Sequence, residues 1–301
     1  MSREGNLSGL LFGLAAYVSW GVFPAFFPLL KPAGAGEILA HRIVWTVLFM
    51  AVLLIAVGRL SDLASLSRRT WLLLMCASAL ISVNWLIYIY AVNSGHVVDA
   101  ALGYFINPLV SVLLGMLLFG ERLNRFQTAA VMIAVVAVGL LAGGVGPGLP
   151  WISLGLAVSF GLYGAVKKVV AADPRVSVAV ETALAAPFAL AYLLVLQGGG
   201  TGEFTGNGAG HMALMLLTGP VTAVPLLCFA AAAQRLPLVT IGLLQYLTPS
   251  MQMTWGLAVG HEPMTPLRWT GFALIWLALA VFSVDGLRRA YRTRAGTLQA
   301  S

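Results

Sequence analysis

The sequence predicts an all-α integral membrane protein: ten transmembrane helices arranged as two inverted five-helix repeats. Three observations predict this. The 301 residues are 60% hydrophobic and only 9% charged, whereas a soluble domain carries about 25% charged residues. Cutting the chain at charges, Pro/Gly clusters and turn residues leaves ten apolar runs, most near the ~20 residues a helix needs to cross the hydrocarbon. One run occurs twice: residues 99–121, DAALGYFINPLVSVLLGMLLFGE, return 141 positions later at 240–262 as TIGLLQYLTPSMQMTWGLAVGHE. At that offset Pro108 falls on Pro249, Gly115 on Gly256 and Glu121 on Glu262, while Phe105 falls on Tyr246 and Asn107 on Thr248.

The ten spans lie at 7–29, 37–57, 71–92, 99–119, 126–142, 151–170, 177–196, 212–233, 239–259 and 268–284. The runs are continuous and do not alternate with period two, which excludes a β-barrel. The first run is too long for a signal-peptide core and lacks a clear cleavage site, so it reads as the first membrane helix. With the N-terminus inside, all but three of the 17 Lys and Arg residues fall on the inner side; Lys31, Arg42 and Arg268 are the exceptions. That skew follows the positive-inside rule and places both termini in the cytoplasm. Five helices per half is an odd number, so the second half runs upside down. Val18-Ser19-Trp20-Gly21 also aligns with Val158-Ser159-Phe160-Gly161. The divisions are 1–145, the first repeat; 146–286, the second; and 287–301, a basic cytoplasmic tail. Paired, Pro-interrupted segments in corresponding places point to a binding site near the membrane midplane.

Composition excludes several function classes. The net charge of +7 is accounted for by topology, and no basic patch interleaved with aromatics suggests nucleic acid. Cys76 and Cys228 form neither a CxxC nor a metal spacing, so no metal is expected. The Gly-rich stretches 143–148 and 198–210 follow no strand and carry no GK[ST], so they read as connectors, and no cofactor is expected. Small pairs such as Gly139/Gly143 and Gly155/Ser159 are expected to let helices approach closely.

Polar groups inside the spans carry the functional reading, because burying them in lipid is costly. The second span holds Glu37, His41 and Arg42. One reading makes this a helix mouth, with Glu37 favouring the positive helix end and Arg42 snorkelling outward. The other lines a cavity with His41 and Arg42, which meet a polar or anionic substrate group with Glu37 as partner. The third span carries Asn84, Trp85 and Tyr88; Asn84 and Tyr88 share a face, either to bond a neighbouring helix or to face substrate. The fourth adds Tyr104 and Asn107 beside Pro108, whose ring interrupts the hydrogen-bond ladder. The ninth offers Gln245, Tyr246 and Pro249 in the matching place. Pro108 and Pro249 are the candidate hinges. Trp20 is deep enough to be a cavity wall. Glu181, Asp99, Lys167 and Lys168 read as charges at helix ends.

SWGVFPAFF in the first span, EILAHRIVWT in the second, Asn84-Trp85 in the third, ALGYFINPLVSVLLGMLLFGERL in the fourth and QYLTPS in the ninth resemble the RarD group of EamA-type transporters, within the drug/metabolite transporter superfamily. The resemblance covers essentially the whole chain. It implies a bacterial inner-membrane permease that exports small metabolites or drugs. The leading expectation is a secondary transporter with alternating access, whose partners are a small-molecule substrate and the lipid bilayer; His41 would offer a route for proton coupling. An uncoupled facilitator or channel of the same fold is the alternative. A membrane-embedded lipid-modifying enzyme is disfavoured, because the ten acidic residues are scattered over both sides and no DxxD or HxxxD box occurs.

Overall fold

A computed structural model describes residues 3–120, 125–143, 150–233, 235, 244–245, 247–262, 264–278, 280–281 and 284. Among the described residues every regular element is helical. The first span is bent: α1 (Arg3–Gly21) leads into α2 (Phe23–Phe26) and a 3-10 turn (Phe27–Leu30), and the two pieces meet at 41°. Pro24 and Pro28 sit in the first turns of the short pieces. A proline ring has no N–H and crowds the preceding turn, so the axis changes direction there.

The remaining helices are α3 (Ala35–Ala56), α4 (Arg68–Asn93), α5 (Val97–Phe119), α6 (Arg125–Gly143), α7 (Trp151–Val169), α8 (Pro174–Gly198), α9 (Gly208–Ala233) and α10 (Leu247–Ala258), followed by α11, helical over 266–278. Their starts follow from local chemistry. Ser67 Oγ accepts the Thr70 N–H at 3.1 Å and Asp173 Oδ1 accepts the Arg175 N–H at 2.9 Å, each satisfying a donor that the first turn leaves free. Pro174 fills the first helical position of α8, where its missing N–H is harmless. α5 runs as one helix through the Asn107-Pro108 pair, so the expected interruption does not end it.

α3, α4, α8 and α9 are long and apolar enough to cross a bilayer, and the bent first span makes a fifth. Their outer faces are as apolar as their cores. On α8, Phe188, Leu194 and Val195 are 79%, 72% and 73% exposed, a patch suited to lipid and not to water. α5 packs on α7, α3 on α8 and α9, α1 on α9, α4 on α7, and α10 on both α5 and α1. At two glycines the backbone of a neighbouring helix comes close. A Cβ at Gly219 would lie 2.5 Å from the Trp45 carbonyl, and one at Gly103 would lie 2.8 Å from the Ser153 oxygen. Gly155 sits equally tight against Ile87, whereas a Cβ at Gly139 would meet nothing within 4 Å. The close packing expected at these two glycines is found at Gly155 and not at Gly139.

The connections gather into two ends. At one, Arg59 of the α3–α4 connection pairs with Asp62 at 3.1 Å and with Asp173 of the α7–α8 connection at 3.3 Å. The hydrogen bond from Arg175 holds the Asp173 carboxyl below its ordinary range. At the other end, Glu262 accepts the Val97 and Val98 N–H groups at 2.6 and 3.0 Å. It thereby caps α5, and burial lifts its carboxyl above the ordinary range against the pull of those two bonds. Arg268 pairs with Asp99 beside it at 3.2 Å.

Candidate functional site

A cavity of about 540 Å³ lies between the helices, within the range usual for small-molecule sites. Its walls come from both halves of the chain. The first half supplies Tyr17, Trp20 and Phe23 from the bent span, Arg42 from α3, and Asn84, Trp85 and Tyr88 from α4, with Tyr104 from α5. The second supplies Phe160, Tyr163 and Lys167 from α7, Ser177 from α8, and Phe229 from α9. Gln245 and, from α10, Thr248, Pro249 and Gln252 close the remaining side. The cavity extends to Val170, Ala172 and Pro174 at the α7–α8 connection.

The rings form a continuous lining. Tyr17 meets Trp20 edge-on at 5.5 Å between centroids, and Trp20 lies 5.8 Å from Phe229. Tyr88 packs on Phe23, Phe27 and Tyr104, and Tyr104 meets Phe160 edge-on at 6.1 Å. Arg42 sits within this lining. Its guanidinium carbon is 4.0 Å from the Trp85 centroid and 5.4 and 5.6 Å from those of Phe23 and Phe27, and its Nε donates to Thr222 Oγ1 at 2.7 Å. Ring faces offset part of the cost of desolvating a cation.

Asn84 ties three helices together. Its amide donates to the Leu156 carbonyl at 3.0 Å and Ser159 Oγ at 2.9 Å, and its carbonyl accepts from the Tyr104 hydroxyl at 3.2 Å. Toward the α7–α8 connection lies a second polar cluster. Lys167 Nζ pairs with Glu181 Oε1 at 2.6 Å, Ser177 donates to the same oxygen at 2.8 Å, and Tyr163 donates to Oε2 at 3.0 Å. Lys167 also bonds Ser177 directly.

Among the described residues several other buried polar atoms lack a protein partner: Arg42 Nη1, Tyr88 Oη, Gln252 Oε1, Asn107 Oδ1, Asn93 Oδ1 and His211 Nδ1. The first three belong to residues lining the cavity. Buried polar atoms are ordinarily satisfied, so an orphan in a cavity wall marks a place where a ligand or water completes the bonding.

Residues 7–143 match the EamA-like transporter family. Over 290 residues the chain is 49% identical to Protein RarD of Streptomyces exfoliatus, covering 96% of this chain and 92% of that one. The chain belongs to the RarD group of EamA-type transporters. It is also 42% identical to the uncharacterized transporter YojE of Bacillus subtilis, covering 96% of this chain and 97% of the other. One crystal structure superposes with a TM-score of 0.62 at 18% identity, covering 94% of this chain and 99% of that one; it shows likeness of fold. RarD-group proteins are membrane transporters, and the apolar helices described above fit that class.

In this RarD-group chain the candidate residues fall into three sets. Trp20, Arg42, Asn84, Trp85, Tyr88, Tyr104, Gln245 and Pro249 meet at the cavity. Glu37, His41 and Asn107 lie buried outside its lining. Glu37 accepts the Glu203 N–H at 2.7 Å, and Arg42 has no ion pair with it. His41 stacks on Phe204 at 4.5 Å, and its Nδ1 accepts from Trp45. Tyr246 lies outside the described residues. So does the side chain of Pro108, although its backbone is helical.

Several lining or supporting groups escaped sequence reasoning. Gln252 stands seven residues, or two turns, after Gln245, and Thr218 and Thr222 are four apart on α9; both spacings mark a shared polar face. Lys167 and Glu181 flank a short connection, one inside each span, and read from sequence as separate end charges. Pro187 in α8 and Pro220 and Pro225 in α9 lie within long helices, outside the repeat that drew notice to Pro108 and Pro249.

Proposed function

We propose that this chain is a secondary transporter in which the central cavity is the substrate site and alternating access carries a small molecule across the membrane. The observation that carries the reading is the cavity itself. It sits where the two halves meet, reaches the α7–α8 connection, and is backed at the opposite end by Glu37 on Glu203, Phe204 on His41 and Glu262 on α5. Ten spans in two inverted halves fit the packing. Exchanging α1 with α7, α3 with α8, α4 with α9 and α5 with α10 turns the α1–α9 contact into α7–α4, α5–α7 into α10–α1 and α3–α9 into α8–α4, all of which occur.

The sidedness has support of the same kind. Connections expected inside touch each other through Arg59 and Asp173, and connections expected outside touch through Glu262 and Val97 and through Glu37 and Glu203. Both termini are then cytoplasmic, the membrane is the bacterial inner membrane, and the cavity faces inward. Pro108 and Pro249 serve as flexible points in this scheme, and His41 is the group for proton coupling. Export is the direction this reading assigns, and no enzymatic step is assigned.

Gly164 provides the test. It borders the cavity, and a Cβ there would meet nothing within 4 Å, so Gly164→Trp fills the cavity without disturbing a wall. A thermal-shift panel of amino acids, nucleosides, quaternary amines and antibiotics identifies a ligand, whose flux is then followed in proteoliposomes with and without a pH gradient. Gly164→Trp is expected to fold and to lose both the ligand shift and the flux. Undiminished flux rejects the cavity as the route. Flux that ignores every imposed gradient marks a facilitator.

A further inference from the structure

We infer that the cavity selects a small organic monoanion, with a carboxylate held by Arg42 and Tyr88 and an apolar or aromatic body held by the surrounding rings. This rests on reading the cavity as the substrate site.

The charge of the walls carries the inference. Arg42 is 3% exposed, and among the described residues no carboxylate pairs with it. Glu37, on the same helix, is engaged by the Glu203 backbone. Glu181 is already occupied by Lys167, Ser177 and Tyr163. Lys167 therefore arrives in the wall neutralised, and Arg42 does not. One positive charge is left uncompensated in a ring-lined space of low dielectric, where an anion gains most and a second cation loses most.

Hydrogen bonding points the same way. Thr222 takes only the Nε of Arg42, leaving Nη1 buried without an acceptor among the described residues. The Tyr88 hydroxyl is a second buried group without a partner among the described residues, on a ring packed against Phe23 and Phe27, the two rings that also flank the guanidinium. A carboxylate has two oxygens that accept from a guanidinium and a phenol together. An amide supplies one good acceptor and no charge. An ammonium supplies donors only, in a site whose free groups on this side are donors. A zwitterion is served at one end: its cationic group finds Gln252 Oε1, a neutral acceptor, and no free carboxylate among the described lining residues. The body of the ligand lies against Trp20, Trp85, Tyr104 and Phe160, flat rings suited to a planar apolar group.

Four probes with one body separate these cases: 3-phenylpropanoate, 3-phenylpropanamide, 3-phenylpropylamine and phenylalanine. Binding is measured on the full chain in lipid nanodiscs at neutral pH. The carboxylate is expected to bind at least about tenfold more tightly than the amide, in line with a charge-assisted hydrogen bond in a dry site. The amine is expected to show no shift, and phenylalanine an intermediate one. Arg42→Gln should bring the carboxylate down to the level of the amide. Tyr88→Phe should weaken the carboxylate by about 3- to 10-fold with the melting temperature unchanged, since the hydroxyl has no protein partner to lose; it decides the matter if Arg42→Gln does not fold. Three outcomes overturn the inference: amide or amine binding as tightly as the carboxylate, a preference that survives both substitutions, or no probe bound at millimolar concentration. Flux in proteoliposomes distinguishes this from the underlying reading. A carboxylate that binds through Arg42 but is not moved defeats transport and leaves the charge selection standing. An amine or amide that is moved while the carboxylate is not leaves transport standing and defeats the selection.

Discussion

Lys167 and Arg42 border the same cavity, yet one has a carboxylate at 2.6 Å and the other has none among the described residues. The polar groups around each repeat the contrast. At the α7–α8 end, Tyr163, Ser177 and Lys167 all converge on Glu181. In the wall that Arg42 shares, the Tyr88 hydroxyl and Gln252 Oε1 lack protein partners among the described residues. Completed networks fix how helices sit on one another, whereas incomplete ones leave bonding capacity for something that comes and goes. The difference separates architecture from site on physical grounds, and paired substitutions can break it.

The largest effect is expected at the completed ion pair. Glu181→Gln strands the Lys167 charge; allowing for the partial exposure of Lys167, it should destabilise by about 2–3 kcal/mol, read as a lower melting temperature in detergent. Arg42→Gln should change stability by less than about 1 kcal/mol, because relief of an unpaired buried charge offsets the lost Thr222 bond and ring contacts. Equal losses at the two sites erase the distinction. Asparagines give the next comparison. Asn84→Ala removes three hydrogen bonds and leaves buried partners bare, for about 1–3 kcal/mol. Asn107→Ala, whose Oδ1 has no partner among the described residues, should cost less than about 1 kcal/mol by the same reasoning. Tyrosines give a finer one: Tyr163→Phe loses a bond to a charged group, about 1.5 kcal/mol or more, while Tyr88→Phe is near neutral.

The smallest effect is a pH dependence at the α7–α8 connection, where the cavity ends. Arg175 depresses the Asp173 carboxyl, so its contribution is present above the unfolded value of about 3.9 and is lost as pH falls through the lower folded one. The site is partly solvated, so the loss should stay below about 1 kcal/mol. Asp173→Asn should flatten the acid limb of the melting curve in that window. An unaltered limb assigns it to other carboxylates.

Much of the helical layout was legible because the bilayer sets the length of each apolar run. Spans expected at 37–57, 71–92 and 177–196 correspond to α3, α4 and α8, with ends displaced by at most three residues. The bend in the first span was not legible: residues 7–29 read as one continuous run, whereas Pro24 and Pro28 each open a shorter piece. The partners of the buried polar groups were not legible. Arg42 meets Thr222, Glu37 meets Glu203, and Glu262 meets Val97, each across more than 160 residues of sequence. Neither spacing nor periodicity reaches across such separations. So polar residues within the spans were readable, but which of them would face the cavity, and which would be left without a partner, depended on packing.

The strap from Glu203 to Glu37, the seat of Arg42 on Thr222 and the α1–α9 contact also impose a schedule on synthesis. A ribosome adding about 5–20 residues per second needs roughly 10–35 s to travel from Arg42 to Thr222. During that interval α1 and α3 lie in the membrane with their inner faces uncovered and the guanidinium without its hydroxyl partner. The two halves therefore do not mature in succession, one complete before the other begins. The first waits as an open template, and the chain closes over its own charge only after α9 has emerged.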